Sequence, residues 1–347
     1  MDQALVEVAA SGRYIMGDKV VELERKLADY VGVEHCISCA SGTDALYLAL
    51  RVMGVGAGDA VFVPDFTFFA SAEVVSLVGA TPVFVDVEEE TFNISPDDLE
   101  RKIKQLPSGL SPKVVMAVDL FGLPANYPAV CTIAQRYGLL VLEDGAQGFG
   151  GSINGKKACS FGDVATTSFF PSKPLGCYGD GGAIFTDNGE WAEKARSLRQ
   201  HGKGADKYSN IAIGVNSRLD AIQAAILLVK LEVFDRELAL VGRHAAKFAS
   251  LMGEKTKAPR TPEGYCSAWA QYTIRCKDEA EREAIRERMA EKGIPTMVYY
   301  PTPLHALPVY AQDKAFPVAT QLSRTVLSLP MHPYLTDDEI ELIASTL

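Results

Sequence analysis

The sequence of 347 residues carries no excess of basic charge: 34 Lys and Arg stand against 44 Asp and Glu, for a formal net charge of −10. Such a chain does not offer a general nucleic-acid or anionic-membrane surface, although a local basic pocket for a phosphorylated ligand stays open. No apolar run approaches the ~20 residues of a membrane span. Met1 to Ala10 holds acids at Asp2 and Glu7 and no base, unlike a targeting segment, so the expected location is the cytoplasm. The seven cysteines are odd in number and scattered, which suits reduced thiols better than a disulfide framework. Cys36 and Cys39 form a close pair, but no second pair or matched histidines accompany them, so no metal site is expected. No Gly-x-Gly-x-x-Gly follows the first strand, which argues against a nucleotide-binding dehydrogenase. Internal repeats and low-complexity segments are absent.

What is present is an alternation. Short apolar runs over residues 36–40, 60–64, 82–87, 113–119, 139–143, 164–170 and 183–186 read as strands. Helical segments over 44–53, 69–78, 96–105 and 127–137 separate the earlier ones. This is the pattern of a doubly wound α/β sheet whose strands run parallel through right-handed crossovers, with ligands beyond their carboxyl ends. After Asp187 longer helices follow, at 190–200 and from 218–231 on through 237–252. A connection over 254–265 leads to a strand at 269–276, a helix at 279–292, a Pro-rich loop at 299–308 and a closing helix at 337–347. The length exceeds one comfortable core, so a large domain over 1–235 and a small α+β domain over 236–347 are expected.

The informative stretch is Ser168 to Gly182. Lys173 would sit just past a buried strand, in a turn fixed by Pro171 and Pro174 and followed by Gly176, Gly179, Gly181 and Gly182. A lysine so held, its pKa lowered by partial burial, can act as a Schiff-base nucleophile; a surface lysine in a loop is the alternative. Three other strand ends supply possible company. Ser41-Gly42-Thr43-Asp44 opens a helix, either as a phosphate cradle of free backbone N–H groups or as a plain N-cap. Phe68 follows another strand and could stack on a planar ring or belong to the core. Glu143-Asp144 ends a fully apolar strand, and an acid there can hold the proton of a pyridine nitrogen or cap the next turn. A phosphate cradle, a stacking aromatic, a ring-nitrogen acid and a lysine at one rim are what pyridoxal 5'-phosphate (PLP) requires.

With these residues in view the chain resembles, over nearly its whole length, the DegT/DnrJ/EryC1/StrS family of sugar aminotransferases, of aspartate aminotransferase fold. The resemblance is carried by Ser41 to Leu46, Thr67 to Ser71, Glu143 to Gln147, Ser168 to Lys173, Gly179 to Ala183, Arg199 to Gly202, Gly214 to Leu219 and Pro303-Leu304-His305. It implies PLP fold type I, a large domain with a mainly parallel seven-stranded sheet plus a small α+β domain, with Lys173 as the Schiff-base lysine and Asp144 at the pyridine nitrogen. Gln147 would lie beside the ring's 3-oxygen, Phe68 on its face, and Gly42, Thr43 and Ser168 at the phosphate. Asn216 would reach the phosphate from a second subunit, making a homodimer with shared active sites. Gly145 stands where the family usually has alanine, a change that leaves Asp144 and Gln147 in place. The family's sugar dehydratases have histidine in place of the lysine, so Lys173 implies transamination. The implied substrates are an amino-acid donor, glutamate in most of the family, and a nucleotide-linked keto-sugar. The text is most similar to members acting on UDP-linked 3-keto-N-acetylhexosaminuronic acids for bacterial surface polysaccharide; 4-keto or dTDP-linked sugars are the alternative. His305, His201 and Arg218 are the candidate substrate contacts. A non-catalytic sugar-sensing regulator of the same fold is the competing class, and it would not need Lys173 and Asp144 together.

Overall fold

The computed structural model describes every residue except 207, 254, 255 and 313. In chain order it forms α1 (Asp2–Ser11), α2 (Asp18–Val31), β1 (His35–Cys39), α3 (Gly42–Val52), β2 (Asp59–Pro64), α4 (Ala70–Leu77), β3 (Thr81–Val85), α5 (Pro96–Lys104), β4 (Ser111–Val118), α6 (Tyr127–Tyr137) and β5 (Leu140–Asp144). There follow β6 (Val164–Ser168), β7 (Gly182–Thr186), α7 (Gly189–Leu198), α8 (Ala221–Leu231), α9 (Phe234–Met252), β8 (Tyr272–Arg275), α10 (Glu279–Glu291), α11 (Pro317–Thr325), β9 (Val326–Leu329) and α12 (Asp337–Thr346). Side chains cap several starts: Ser41, Ser95, Asn126 and Asn188 each accept from a backbone N–H three residues on, and Thr336 with Glu339 closes a capping box.

The main sheet has the order β1-β7-β6-β5-β4-β2-β3. The pairs of β2 with β3 and β4, of β4 with β5 and of β5 with β6 are parallel. The seven-stranded sheet is mainly parallel, as expected, with one exception in β7, which runs antiparallel to both β1 and β6. No helix separates Ser168 from Gly182, only the lysine loop, so the chain turns back on itself instead of crossing over. Side chains alternate between two covered faces. Val61, Val63, Val114 and Met116 pack in one core with α3 and α4, while Phe62, Val115, Ala117 and Val141 pack in the other with α5 and α6.

A separate apolar cluster joins Ala245, Phe248 and Met252 of α9 to β8, β9, α10 and α12. A division at 235–236 therefore falls in the first turn of α9, whose Phe234 packs instead with α2, α8 and the main sheet. The continuous helix expected from 218 to 252 is broken between Leu231 and Phe234, and the strand expected over 269–276 begins only at Tyr272 because Trp269 takes a positive φ of 50°. The helices α1, α2 and α11 and strand β9 add to the elements expected from the sequence. Within the expected 254–265 connection, residues 254 and 255 lie outside the described ones. Among the described residues no helix is long and apolar enough to cross a membrane, and no cluster of three His, Cys, Asp or Glu could hold a metal.

Candidate active site

Parallel strands direct their carboxyl ends to one rim, and there β5, β6 and the start of α3 enclose a cavity of about 400 Å³. Gly42, Thr43, Phe68, Asp144, Gln147, Ser168 and Lys173 all line it. Residues spread over more than a hundred positions of sequence are thus brought together by sheet order alone.

Asp144 is buried at the end of β5, where Ser71 Oγ donates to its Oδ2 at 2.9 Å and Ala146 N to its Oδ1 at 3.2 Å. Burial pushes its carboxyl above the ordinary value, while those two donors and the Lys173 charge pull the other way. Burial likewise lowers the Lys173 ammonium, against the attraction of Asp144. Each group therefore lacks a full counter-charge, and a cation placed against Asp144 would hold it ionised. Lys173 itself is positioned by a backbone bond from its N–H to Phe170 O at 2.9 Å.

The anion end is built from backbone. Ser41 Oγ is occupied in accepting from Asp44 N at 3.1 Å, while Gly42 and Thr43, in the first turn of α3, have N–H groups with no helical acceptor. A Cβ on Gly42 would stand 2.7 Å from Ser168 Cβ, so only glycine lets α3 and β6 meet here. Ser217, adjoining Asn216, ties this end down by donating to Asp44 Oδ2 at 2.7 Å.

Three further residues, Tyr299, Tyr300 and Gln271, complete the wall. Gln147 accepts from Phe121 N at 2.7 Å and donates to Tyr300 Oη at 3.2 Å, so its amide is locked by Tyr300. Tyr300 packs against Phe68 with ring centroids 6.1 Å apart, and Tyr299 and Gln271 lie beside it. For the two tyrosines the only sequence signal was position in the Pro-rich loop, which has no polar motif; Gln271 falls within Ser267 to Thr273, a run that shares in the resemblance to the UDP-3-keto-hexuronate enzymes.

The remaining candidates lie elsewhere. His305 does not line the cavity: its Nδ1 lies 2.6 Å from Oδ2 of buried Asp65, its N–H donates to Asp65 Oδ1 at 2.8 Å, and its ring packs on Phe316 at 4.7 Å. The imidazole is thus engaged within the fold. His201, Asn216 and Arg218 are also absent from the cavity wall; His201 and Asn216 are exposed and Arg218 is partly so.

The site fits PLP in three respects seen here: a glycine-lined cradle of free N–H groups for the phosphate, a buried acid in want of a cation for the ring nitrogen, and a lysine of lowered pKa for the aldehyde. A mainly parallel α/β sheet with these groups at its carboxyl rim defines a PLP-dependent enzyme of the aminotransferase fold. Comparison with known proteins agrees and goes further. Residues 1–347 match the model of the DegT/DnrJ/EryC1/StrS aminotransferase family, and the chain belongs to that family. It is therefore a PLP-dependent sugar-nucleotide aminotransferase. Over 349 residues, covering 100% of this chain and 95% of the relative, it is 46% identical to UDP-2-acetamido-2-deoxy-3-oxo-D-glucuronate aminotransferase of Pseudomonas aeruginosa. It is 39% identical over 344 residues to dTDP-3-amino-3,6-dideoxy-alpha-D-galactopyranose transaminase of Aneurinibacillus thermoaerophilus, covering 98% of this chain and 92% of that one. The crystal structure of a DegT DnrJ EryC1 StrS aminotransferase from Brucella abortus superposes with a TM-score of 0.96 at 46% identity, covering 99% of this chain and 93% of that chain.

Proposed function

We propose that the enzyme moves the amino group of an amino acid, glutamate, to the keto carbon of a UDP-linked 2-acetamido-3-keto-hexuronate used in bacterial surface polysaccharide. The observation that carries this is the 46% identity along the entire chain to an enzyme named for that sugar. The 39% identity to a dTDP-sugar transaminase supports the second reading, a dTDP-linked acceptor.

In this reading Gly42, Thr43 and Ser168 hold the cofactor phosphate, Phe68 covers the ring face, Gln147 lies at the ring's 3-oxygen and Asp144 keeps a proton at the ring nitrogen. PLP, when bound, supplies an aldehyde for the amino group and a ring that takes up an electron pair. Lys173 does the rest with one atom: its Nζ holds the aldehyde at rest and, once displaced, moves a proton to and from the reacting substrate carbon. The lowered pKa matters because only the neutral amine can accept that proton. Tyr300, by accepting from Gln147 Nε2, would hold that amide in place for the ring's 3-oxygen.

The substrate's diphosphate and carboxylate need cations, yet among the described residues Lys173 is the one cationic side chain of the cavity wall, beside Asp144 and Asp180. We infer that a second copy of the chain supplies them. Arg218 makes no ion pair among the described residues, and Asn216 beside it is exposed. Near them Tyr14, Ile15 and Ile213 present apolar surface, with Ile15 bridged to Asp220 and Ile213 O bound by Arg51. This homodimer places Asn216 and Arg218 at the partner's cavity. The test is a substrate panel: enzyme first converted with glutamate, a step seen as loss of the visible cofactor band, then offered 3-keto and 4-keto sugars linked to UDP or dTDP. Return of the band is expected first with the UDP-3-keto-hexuronate; return only with 4-keto or dTDP sugars would overturn the assignment.

A further inference from the structure

Gln271 immediately precedes β8 and lines the cavity together with Asp144, Lys173, Tyr299 and Tyr300. Its backbone is held tightly. Its N–H donates to Phe121 O at 3.3 Å, and Ala268 N donates to Gly122 O at 2.8 Å. A Cβ on Gly122 would stand 2.7 Å from Ala270 N, so the two turns are packed backbone on backbone. On the other side Tyr272 is buried and packs on Trp269 and Phe248, with ring centroids 5.5 and 5.1 Å away. The side chain so positioned has no hydrogen-bond partner among the described residues. Gln271 Oε1 is closed off from solvent and receives no hydrogen bond from any described residue, and Nε2 makes none either. Of the residues that hold such an unpartnered buried atom among the described ones, Gln271 alone lines the cavity. Leaving such an atom unpaired costs about 1–3 kcal/mol. A half-turn of the amide about χ3 exchanges donor and acceptor without changing its shape.

We propose that Gln271 is a substrate-specificity residue, its amide hydrogen-bonding the polar substituent on the sugar carbon next to the keto carbon. An amide offers one acceptor and two donors, which matches a neighbouring acetamido or hydroxyl group, each both donor and acceptor. This rests on the sugar-acceptor reading above. A cavity that leaves its own polar atom unpaired until the substrate arrives rejects an analogue lacking the partner group, because that atom then stays buried and unsatisfied.

The experiment compares wild type with Gln271→Met, which keeps length and volume and removes both polar atoms. Thermal unfolding, the glutamate half-reaction and the keto-sugar half-reaction are each measured. The melting temperature of the variant should equal or exceed that of wild type, since the unpaired group is gone. Its glutamate half-reaction should stay within about twofold, and its kcat/KM for the keto-sugar should fall by roughly 10- to 100-fold, the loss of one hydrogen-bonded recognition. Sugars bearing acetamido, hydroxyl or hydrogen at the neighbouring carbon complete the cycle: the 2-deoxy analogue should lose nothing further on Gln271→Met, and the more strongly affected of the other two names the group. A lower melting temperature with both half-reactions equally weakened would make Gln271 merely structural and overturn the proposal, as would an unchanged kcat/KM for the keto-sugar. Should wild type refuse UDP-3-keto-sugars, the substrate reading fails by itself, and the same comparison is made on the keto-sugar it accepts.

Discussion

At the scale of the residue, burial without a counter-charge sets the chemistry. Lys173 and Asp144 are displaced from their ordinary values in opposite directions, each by burial first. Behind them lies a pair the reaction does not use. Glu143, fully buried, accepts from the backbone N–H groups of Cys159, Phe161 and Gly162, and faces Asp119. Asp119 accepts from Ala125 N and Tyr127 Oη through Oδ1, while its buried Oδ2 receives no N–H or O–H from the described residues and only a proton shared with Glu143 could serve it. No cation pairs with either acid among the described residues. Burial pushes Glu143 up to about 7 and Asp119 well above its ordinary value. The folded state therefore holds protons the unfolded chain has released, so this stability is fully present below the ordinary carboxyl range and is lost as pH rises toward 7 and beyond. Asp119→Asn copies the protonated acid, with an amide N–H₂ in place of Oδ2. Melting temperatures measured from pH 5 to 8 should decline less for the variant. Where wild type holds one proton that its unfolded chain lacks, the variant should be spared a loss of about 1.4 kcal/mol per pH unit. Parallel curves would show that the pair holds no such proton.

At the scale of the element, the site is a product of strand ends and one helix start. β5 brings Asp144, β6 brings Ser168, and α3 begins against them only because Gly42 has no side chain. Gly42→Ala forces the first turn of α3 away from β6, since its Cβ would meet Ser168 Cβ at 2.7 Å. Cofactor titration into the apo-enzyme, followed by visible absorbance, should show affinity lower by tenfold or more, with about 1–3 kcal/mol lost in stability. An unchanged affinity would remove α3 from the phosphate site. The same elements show where sequence patterning worked. The strands over 60–64 and 113–119 and the helix over 127–137 were legible because short continuous apolar runs alternate along the chain with 3.6-residue apolar periods. The antiparallel β7 was not, because its apolar run is the same in either direction, and only the length of the lysine loop forbids a crossover.

At the scale of the whole molecule, a single chain encloses the proposed cofactor groups but leaves the proposed acceptor short of positive charge. If the partner's Arg218 supplies it, Lys173→Ala and Arg218→Ala should each be nearly inactive alone. Refolded together in equal amounts they should regain about a quarter of wild-type activity, because half the dimers are mixed and one site in each mixed dimer is intact. Failure to regain any activity, with dimers shown by sedimentation, would confine each site to one chain.

The residues proposed to hold the cofactor, which line one cavity, stood out in the sequence because each carries a local reason to be unusual: a lysine between prolines, an acid pair closing an apolar strand, a glycine at a helix start. Their family order then named the chemistry. Only the tertiary structure decided what the other residues do. His305 carries a motif-like setting, yet the fold turns it to Asp65 and Phe316; Tyr300 carries none, yet the fold brings it to the cavity wall. A side chain's neighbours across strands depend on sheet order and packing, and no local pattern encodes them.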